Sequence, residues 1–482
     1  MIPTWQPDFP GAHRIEGGTN MKQKKLIALL LALVMVLSLA ACGGGSSSGS
    51  GDAAPAGDTA STDTAPTGDA APADTASAGG SLTINIWDAN QQAGIQEICD
   101  DWTAESGVPV KVEVIDWDNY WTLLESGASG GTLPDVFWMH SDYAQIYMEN
   151  DILLDLTQYI ANDGVDMNMY YPDIAAIYTR SDGNIYALPK DHDTIALLYN
   201  KALFDQAGVA YPDDNWTYED MYEAAKAITE ATPDGTYGYA LNTSNDQDGW
   251  YNYIYSYGGN VVNKEKTDTA IDGPEAKAAM EMVRKMLTCA VPQSVVAESG
   301  TDSLFQSGKV AMITQGSWMI NNFYTAENSA DYAWAMIPYA DVNGDGQCQP
   351  EERSTQYNGL GWAAAANTSN PDAAWSLIKY LCSEEAQKKQ AALGVTMAGI
   401  PGISEEFANA FAGMDVSAFI KVETEGTLEA RPGTRNSGVW QTPMKSTEGF
   451  QPAFADPSNP ELMSTACDNV AAMIRNAIAE GN

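Results

Sequence analysis

The run from Leu82 to Trp138 switches back and forth between two hydrophobic periods, and this constrains the fold more than any other feature of the chain. Leu82-Thr83-Ile84-Asn85-Ile86-Trp87 alternates with period two, which predicts a strand. Ile95, Ile98, Cys99 and Trp102 then recur at helical spacing, Gly107 closes that helix, and Val110, Val112 and Val114 alternate again. Leu133 to Trp138 reads as a further strand after a glycine-rich turn. Strand, helix, strand, helix, strand predicts an α/β domain with a largely parallel sheet. Ligands of such sheets sit beyond the carboxyl ends of the strands. Trp87, Asp88 and Trp138 occupy such ends and are candidate contacts. A single Trp there is as well explained by core packing; two favour a site.

Nothing ahead of Leu82 can build a core. Gly43 to Gly80 contains only Gly, Ser, Ala, Thr, Asp and Pro, too little apolar surface to offset the entropy of ordering. Residues 42–81 are therefore expected to be a flexible tether, with an end-to-end distance of about 30–40 Å. Met21-Lys22-Gln23-Lys24-Lys25 and the apolar run Leu26 to Leu37 predict a signal peptide over residues 21–41. The run falls short of the roughly 20 residues a transmembrane helix needs. Leu39-Ala40-Ala41-Cys42 is similar to a bacterial lipobox, so the Cys42 thiol is expected to carry a diacylglyceryl anchor. The alternative is an ordinary cleavage site beside an incidental cysteine. Residues 1–20 do not suit a signal peptide, and Glu16-Gly17-Gly18 is what a purine-rich ribosome-binding sequence gives when translated. Translation is expected to start at Met21.

The 482 residues allow more than one domain with a real core. A net charge of −40 without any Lys/Arg cluster in the body excludes nucleic acid and anionic lipid surfaces as expected partners. The six cysteines form no CxxC pair and only three histidines occur, so neither a zinc site nor a disulfide framework is expected.

Leu304 to Trp318 reads as a helix end, a Gly308 stop, a short apolar strand through Val310, Met312 and Ile313, and a Gly316-Ser317 turn presenting Trp318. Together with Tyr186-Ala187-Leu188-Pro189 and Ile195-Ala196-Leu197-Leu198-Tyr199-Asn200-Lys201-Ala202-Leu203-Phe204, this stretch resembles the signature segments of bacterial extracellular solute-binding proteins serving carbohydrate ABC transporters, the maltose-binding-like family. The resemblance runs from about Leu82 to the C-terminus. It implies an α/β, two-lobed periplasmic-binding-protein-like fold with three interlobe crossovers. The first lobe would comprise residues 82–190 plus 361–396, the second residues 191–360 plus 397–482. It further implies a ligand held between the lobes, closure about a hinge, and delivery to the transmembrane subunits of an ABC permease. On this reading the protein is a monomer on the outer face of the cell membrane and not an enzyme.

Asp191-His192-Asp193 lies where the family's chain first crosses, so Asp191 and His192 become candidates, although a surface loop is the plainer reading of that tripeptide alone. Gly316, Trp318 and Trp362 are candidates by the same resemblance; Trp362 sits in Asn358-Gly359-Leu360-Gly361-Trp362-Ala363, the expected return crossing, and Thr396 to Gly402 is the third. Trp250 follows a polar loop carrying Asp246, Gln247 and Asp248, a combination suited to stacking on a pyranose and bonding its hydroxyls. Arg431 and Arg435 could also reach a ligand, with ordinary ion pairing the alternative. The expected ligand is a neutral sugar or oligosaccharide. A glycoside hydrolase and a calcium-stabilised glycan-binding adhesin are the rival readings. No stretch singles out the paired carboxylates a hydrolase needs, and no nucleophile elbow, P-loop or dinucleotide fingerprint is present.

Asp341 to Glu352 fits D-x-[DN]-x-[DN]-G-x5-E in full. Asp341, Asn343, Asp345, the Gln347 carbonyl and Glu352 would coordinate a structural calcium ion, with Gly346 making the turn. Because Tyr332 to Ile337 reads as strand, the loop is expected on a hairpin, stabilising rather than signalling. A solvated acidic turn gives much of the same pattern.

Overall fold

The structure, a computed structural model, describes residues 80–481 apart from 234, 433 and 435. Cys42, the signal peptide and Arg435 lie outside the described residues. The strands in chain order are β1 (Leu82–Ile86), β2 (Val110–Val114), β3 (Val136–Met139), β4 (Ala187–Pro189), β5 (Asp191–His192), β6 (Ile195–Asn200), β7 (Tyr237–Tyr239), β8 (Val310–Gly316), β9 (Tyr332–Met336), β10 (Ser354–Tyr357), β11 (Gly361–Ala364), β12 (Met397–Ala398) and β13 (Thr427–Ala430).

The first lobe is built on a sheet of order β2-β1-β3-β11-β4. The alternating apolar residues do what their spacing predicts: Leu82 pairs with Val110 and Ile86 with Val114, in parallel. The sheet is mixed rather than largely parallel, because β11 returns from the other lobe and runs against both β3 and β4. Helix Ala89–Ser106 crosses between β1 and β2, capped at its start by the Asp88 side chain and ended by Gly107 at φ 72°. Its Ile95, Ile98 and Trp102 join Ile84, Phe137 and Trp138 in one buried core.

The second lobe has a sheet of order β7-β8-β6-β9. Here β6 runs antiparallel to both neighbours, and only β7 and β8 are parallel. Helix Tyr218–Ala231 starts in a complete capping box between Thr217 and Asp220. Pro274–Leu287 and Pro460–Ala479 pack around the same core, which takes in Met312, Tyr253, Trp440 and Ile474.

The crossovers lie side by side. β5 pairs antiparallel with β12, joining Asp191 to Ala398 and His192 to Met397. Asp193 and Asn358 form an antiparallel bridge beside them. The acidic loop 341–352 is not on a hairpin: β9 pairs with β6, whereas β10 pairs with β13. The strand on either side of the loop has another partner already, so the loop joins two sheets. Its base is closed by the Ala340 amide donating to the Glu352 carbonyl at 2.7 Å.

Candidate ligand-binding site

A cavity of about 590 Å³ opens between the lobes, within the size range of small-molecule sites. Trp87, Asp88, Trp117, His140, Asp142 and Tyr143 line it from the first lobe. Asn245, Asp246, Gln247, Trp318, Arg431 and Lys445 face them from the second, and Asp191, Asp193 and Asn358 form its floor at the crossovers.

The aromatic wall is built in layers. Trp87 follows the carboxyl end of β1, and its ring meets Trp117 at 5.1 Å and 84°, and Trp138 at 4.9 Å and 79°. These edge-to-face contacts suit the ring quadrupoles and fix the orientation of Trp87. Trp138 does not reach the cavity. It is fully buried beneath Trp87, with Lys190 Nζ 4.5 Å from its ring centroid. Tyr143 stacks on Trp121 at 3.7 Å and 18°, so its phenol is held by a ring behind it.

Of the residues proposed from sequence, Trp87, Asp88, Asp191 and Trp318 come together in the cavity. Gly316 is behind it: a Cβ there would lie 1.9 Å from Trp318 Cζ3, so the glycine makes room for the indole. Trp250 is fully buried in the second lobe, edge-on to Tyr251, Phe450 and Phe454. Of its polar neighbours Asp246 and Gln247 reach the cavity, while its ring faces the core. Trp362 is fully buried too, since β11 is an interior strand and places it opposite Trp138. His192 points away from the cavity. Its Nε2 lies 2.9 Å from Glu423 Oε1, its Nδ1 faces the Ala398 carbonyl, and Tyr171 donates to Glu423 Oε2 at 2.6 Å. Burial alone would lower the imidazole pKa, but the carboxylate and the carbonyl outweigh it and raise it. His192 therefore ties the crossovers together.

Several lining residues were not expected. Trp117 follows β2 as Trp87 follows β1, so the strand-end rule that selected Trp87 applies to it equally. His140, Asp142 and Tyr143 follow β3 in the same way. Asn358 carries no comparable local signal, whereas Arg431, a candidate from sequence with ion pairing as the alternative, lines the cavity and pairs with Asp142 as well.

The floor is charged and its side chains are buried. Lys190 is fully buried, paired with Asp191 and donating to Gln91 Oε1 at 3.1 Å. The other Asp191 oxygen accepts the Leu360 amide at 2.7 Å. Asp193 accepts from Ser317 Oγ at 2.8 Å. Burial, and then the neighbouring Asp191 charge, push its carboxyl up to about 7. His140 Nδ1 accepts the Asp142 amide at 3.1 Å, and burial holds its pKa down at about 4. The ring is thus neutral with its proton on Nε2, which lies 3.2 Å from the Asn358 side-chain amide. The amide atom at that distance is Nδ2, and Asn358 Oδ1 is buried without a partner; exchanging the two would let the oxygen accept the Nε2 proton.

Residues 88–388 match the model of the bacterial extracellular solute-binding protein family. The chain belongs to that family. This solute-binding protein is 25% identical to the maltodextrin-binding protein of Bacillus subtilis over 311 residues, 63% of this chain and 69% of that protein. It is 25% identical to the galactooligosaccharide-binding protein of the same organism over 315 residues, 63% and 69% of the two chains. An ABC substrate-binding protein of Listeria monocytogenes, solved in complex with cycloalternan, superposes with a TM-score of 0.68 at 20% identity, covering 81% of this chain and 98% of that one. The GacH receptor of Streptomyces glaucescens, solved unliganded and with acarbose, gives 0.68 at 21% identity over 83% and 99%. The two-lobed fold of this solute-binding protein is the fold of those structures, and the relatives are binding proteins rather than enzymes.

Proposed function

We propose that this solute-binding protein captures a neutral sugar or oligosaccharide between its lobes and hands it to an ABC-type permease. The observation that carries this reading is the pairing, across one cavity, of the Trp87, Trp117 and Trp318 rings with the carboxylates and amides of Asp88, Asp193, Asn245 and Asn358. Rings take the apolar face of a pyranose, and the oxygen and NH2 groups take its hydroxyls. The cations lining the cavity, Arg431 and Lys445, are already paired with Asp142 and Asp246, which disfavours an anionic ligand. The sugars bound by the maltodextrin- and galactooligosaccharide-binding relatives support the same class. A ligand touching both lobes binds the closed form better and so shifts the population towards it.

A thermal-shift and tryptophan-fluorescence screen over mono- and oligosaccharides tests the reading. At least one neutral sugar should raise the melting temperature and change the emission; silence across the whole panel would overturn it.

The reading extends to the cell surface through Cys42, whose acylation would hold the body at the outer face of the membrane as a monomer. Cys42→Ala should release the protein into the medium of expressing cells.

We also infer a calcium ion in loop 341–352. Gly344 and Gly346 both take φ 71°, the Gly346 amide donates to Asp341 Oδ2 at 3.1 Å, and Asp341 Oδ1 is buried without a partner. Among the described residues no three acidic side chains converge there, so binding would draw Asp345 and Glu352, whose Oε2 accepts the Gln349 amide at 3.1 Å, in towards Asp341.

A further inference from the structure

One guanidinium bridges carboxylates of the two lobes. Arg431 lies on the second-lobe side, its Cζ 5.1 Å from the ring centroid of Trp440 in that lobe's core. Nε donates to Asp142 Oδ1 at 2.8 Å and Nη2 to Asp142 Oδ2 at 3.1 Å, a two-pronged pairing with a carboxylate of the first lobe. The same Nη2 lies 3.1 Å from Asp246 Oδ2, in the second lobe, and Nη1 donates to Gln356 at 3.2 Å. Gln441 adds a bond to Asp142 at 3.0 Å, and Lys445 Nζ sits 3.4 Å from the other Asp246 oxygen. The Arg431, Asp142 and Asp246 side chains are 5%, 12% and 3% exposed.

We propose that Arg431 is an interlobe latch, holding together two carboxylates that would otherwise push the lobes apart. Asp142 and Asp246 belong to opposite lobes and share one cation. Without it, closing the cleft would bring two like charges together while stripping water from both. Lys445 reaches only Asp246, and from a half-exposed position, so it leaves Asp142 uncompensated. With the guanidinium in place, desolvation and attraction nearly cancel, as they do for most buried ion pairs. The closed form is then reachable without being locked, which suits a protein that must open again. Arg431 on this account is a positioning residue, acting through Asp142 and Asp246.

A sign follows that simple loss of a contact does not give. Arg431→Gln should open the cleft, and adding Asp142→Asn to it should close the cleft again, because the second change removes the repulsion that the first exposes. Small-angle scattering on sugar-free protein reads this directly. Its outcome does not depend on the sugar-binding reading, since no ligand is used. The Arg431→Gln protein should be more extended than wild type at low ionic strength. It should become compact in about 1 M sodium chloride, where the screening length is about 3 Å. The Arg431→Gln/Asp142→Asn double variant should be more compact than Arg431→Gln alone at low salt. Circular dichroism melts confirm that each variant is folded, and if Arg431→Gln does not fold, Arg431→Met, which keeps the length of the side chain without its charge, carries the same comparison. An Arg431→Gln protein as compact as wild type, or a double variant no more compact than the single, would overturn the proposal.

Discussion

The six-membered ring of Trp318 rests on the Cα of Gly316: a methyl group there would stand 1.9 Å from Cζ3 and 2.1 Å from Cη2. Gly316 has φ −86° and ψ 157°, a backbone geometry that alanine adopts freely. Any effect of Gly316→Ala is therefore steric. The indole must leave its place in the cavity wall, at a cost of about 1–3 kcal/mol for overpacking. Titration calorimetry with the best sugar from the screen should show affinity falling by about 5- to 150-fold, with the far-ultraviolet dichroism unchanged. Unchanged affinity would remove Trp318 from the contact surface.

The buried and the lining indoles should separate cleanly in experiment. Trp318→Phe should lose most of the sugar-induced emission change and keep the wild-type melting temperature. Trp250→Ala should do the reverse, costing about 3–5 kcal/mol of stability by cavity formation in a denaturant titration. A Trp250 variant that is stable but fails to bind would return Trp250 to the site.

Asp193 makes stability depend on pH in an unusual direction. Its folded-state pKa of about 7 lies above the ordinary 3.8, so the folded protein holds this proton more tightly than the unfolded chain does. The stabilising contribution is complete below pH 3.8 and is lost as pH rises towards 7. Asp142 works oppositely. Although burial opposes it, Arg431 holds its pKa at about 2, and its contribution is lost as pH falls from 3.8. The melting temperature of wild type relative to Asp193→Asn should therefore decline between pH 4 and pH 7. A constant difference between the two proteins over that window would contradict the assignment.

Calcium should raise the melting temperature of chelator-treated protein, since an ion that binds only the folded state adds about 2.7 kcal/mol at a hundredfold excess over its Kd. Asp341→Asn/Glu352→Gln should abolish the response. No shift in wild type would reduce loop 341–352 to a solvated acidic turn.

What could be read from sequence was what depends on neighbours along the chain. The alternation in Leu82–Ile86 and the stop at Gly107 are local, and the elements form where their patterns place them. Trp250 and Trp318 show why the site was only partly readable. Both follow a turn and stand among polar residues, and only the distant Phe450 and Phe454 draw the first into the core. His192 likewise looked like a lining residue because its partner Glu423 is 231 positions away. Trp117 was within reach of the strand-end rule; Arg431 could be named as a candidate, but its pairing with Asp142 could not, because that carboxylate lies in the other lobe.

Three passes of the chain, bonded to one another at Asp191–Ala398, His192–Met397 and Asp193–Asn358, leave neither lobe as an unbroken length of sequence. Exchanging one half for that of another protein therefore means severing the polypeptide at several places. A single nick in one crossover, by contrast, should leave two fragments that stay stitched by the remaining passes and still bend about them.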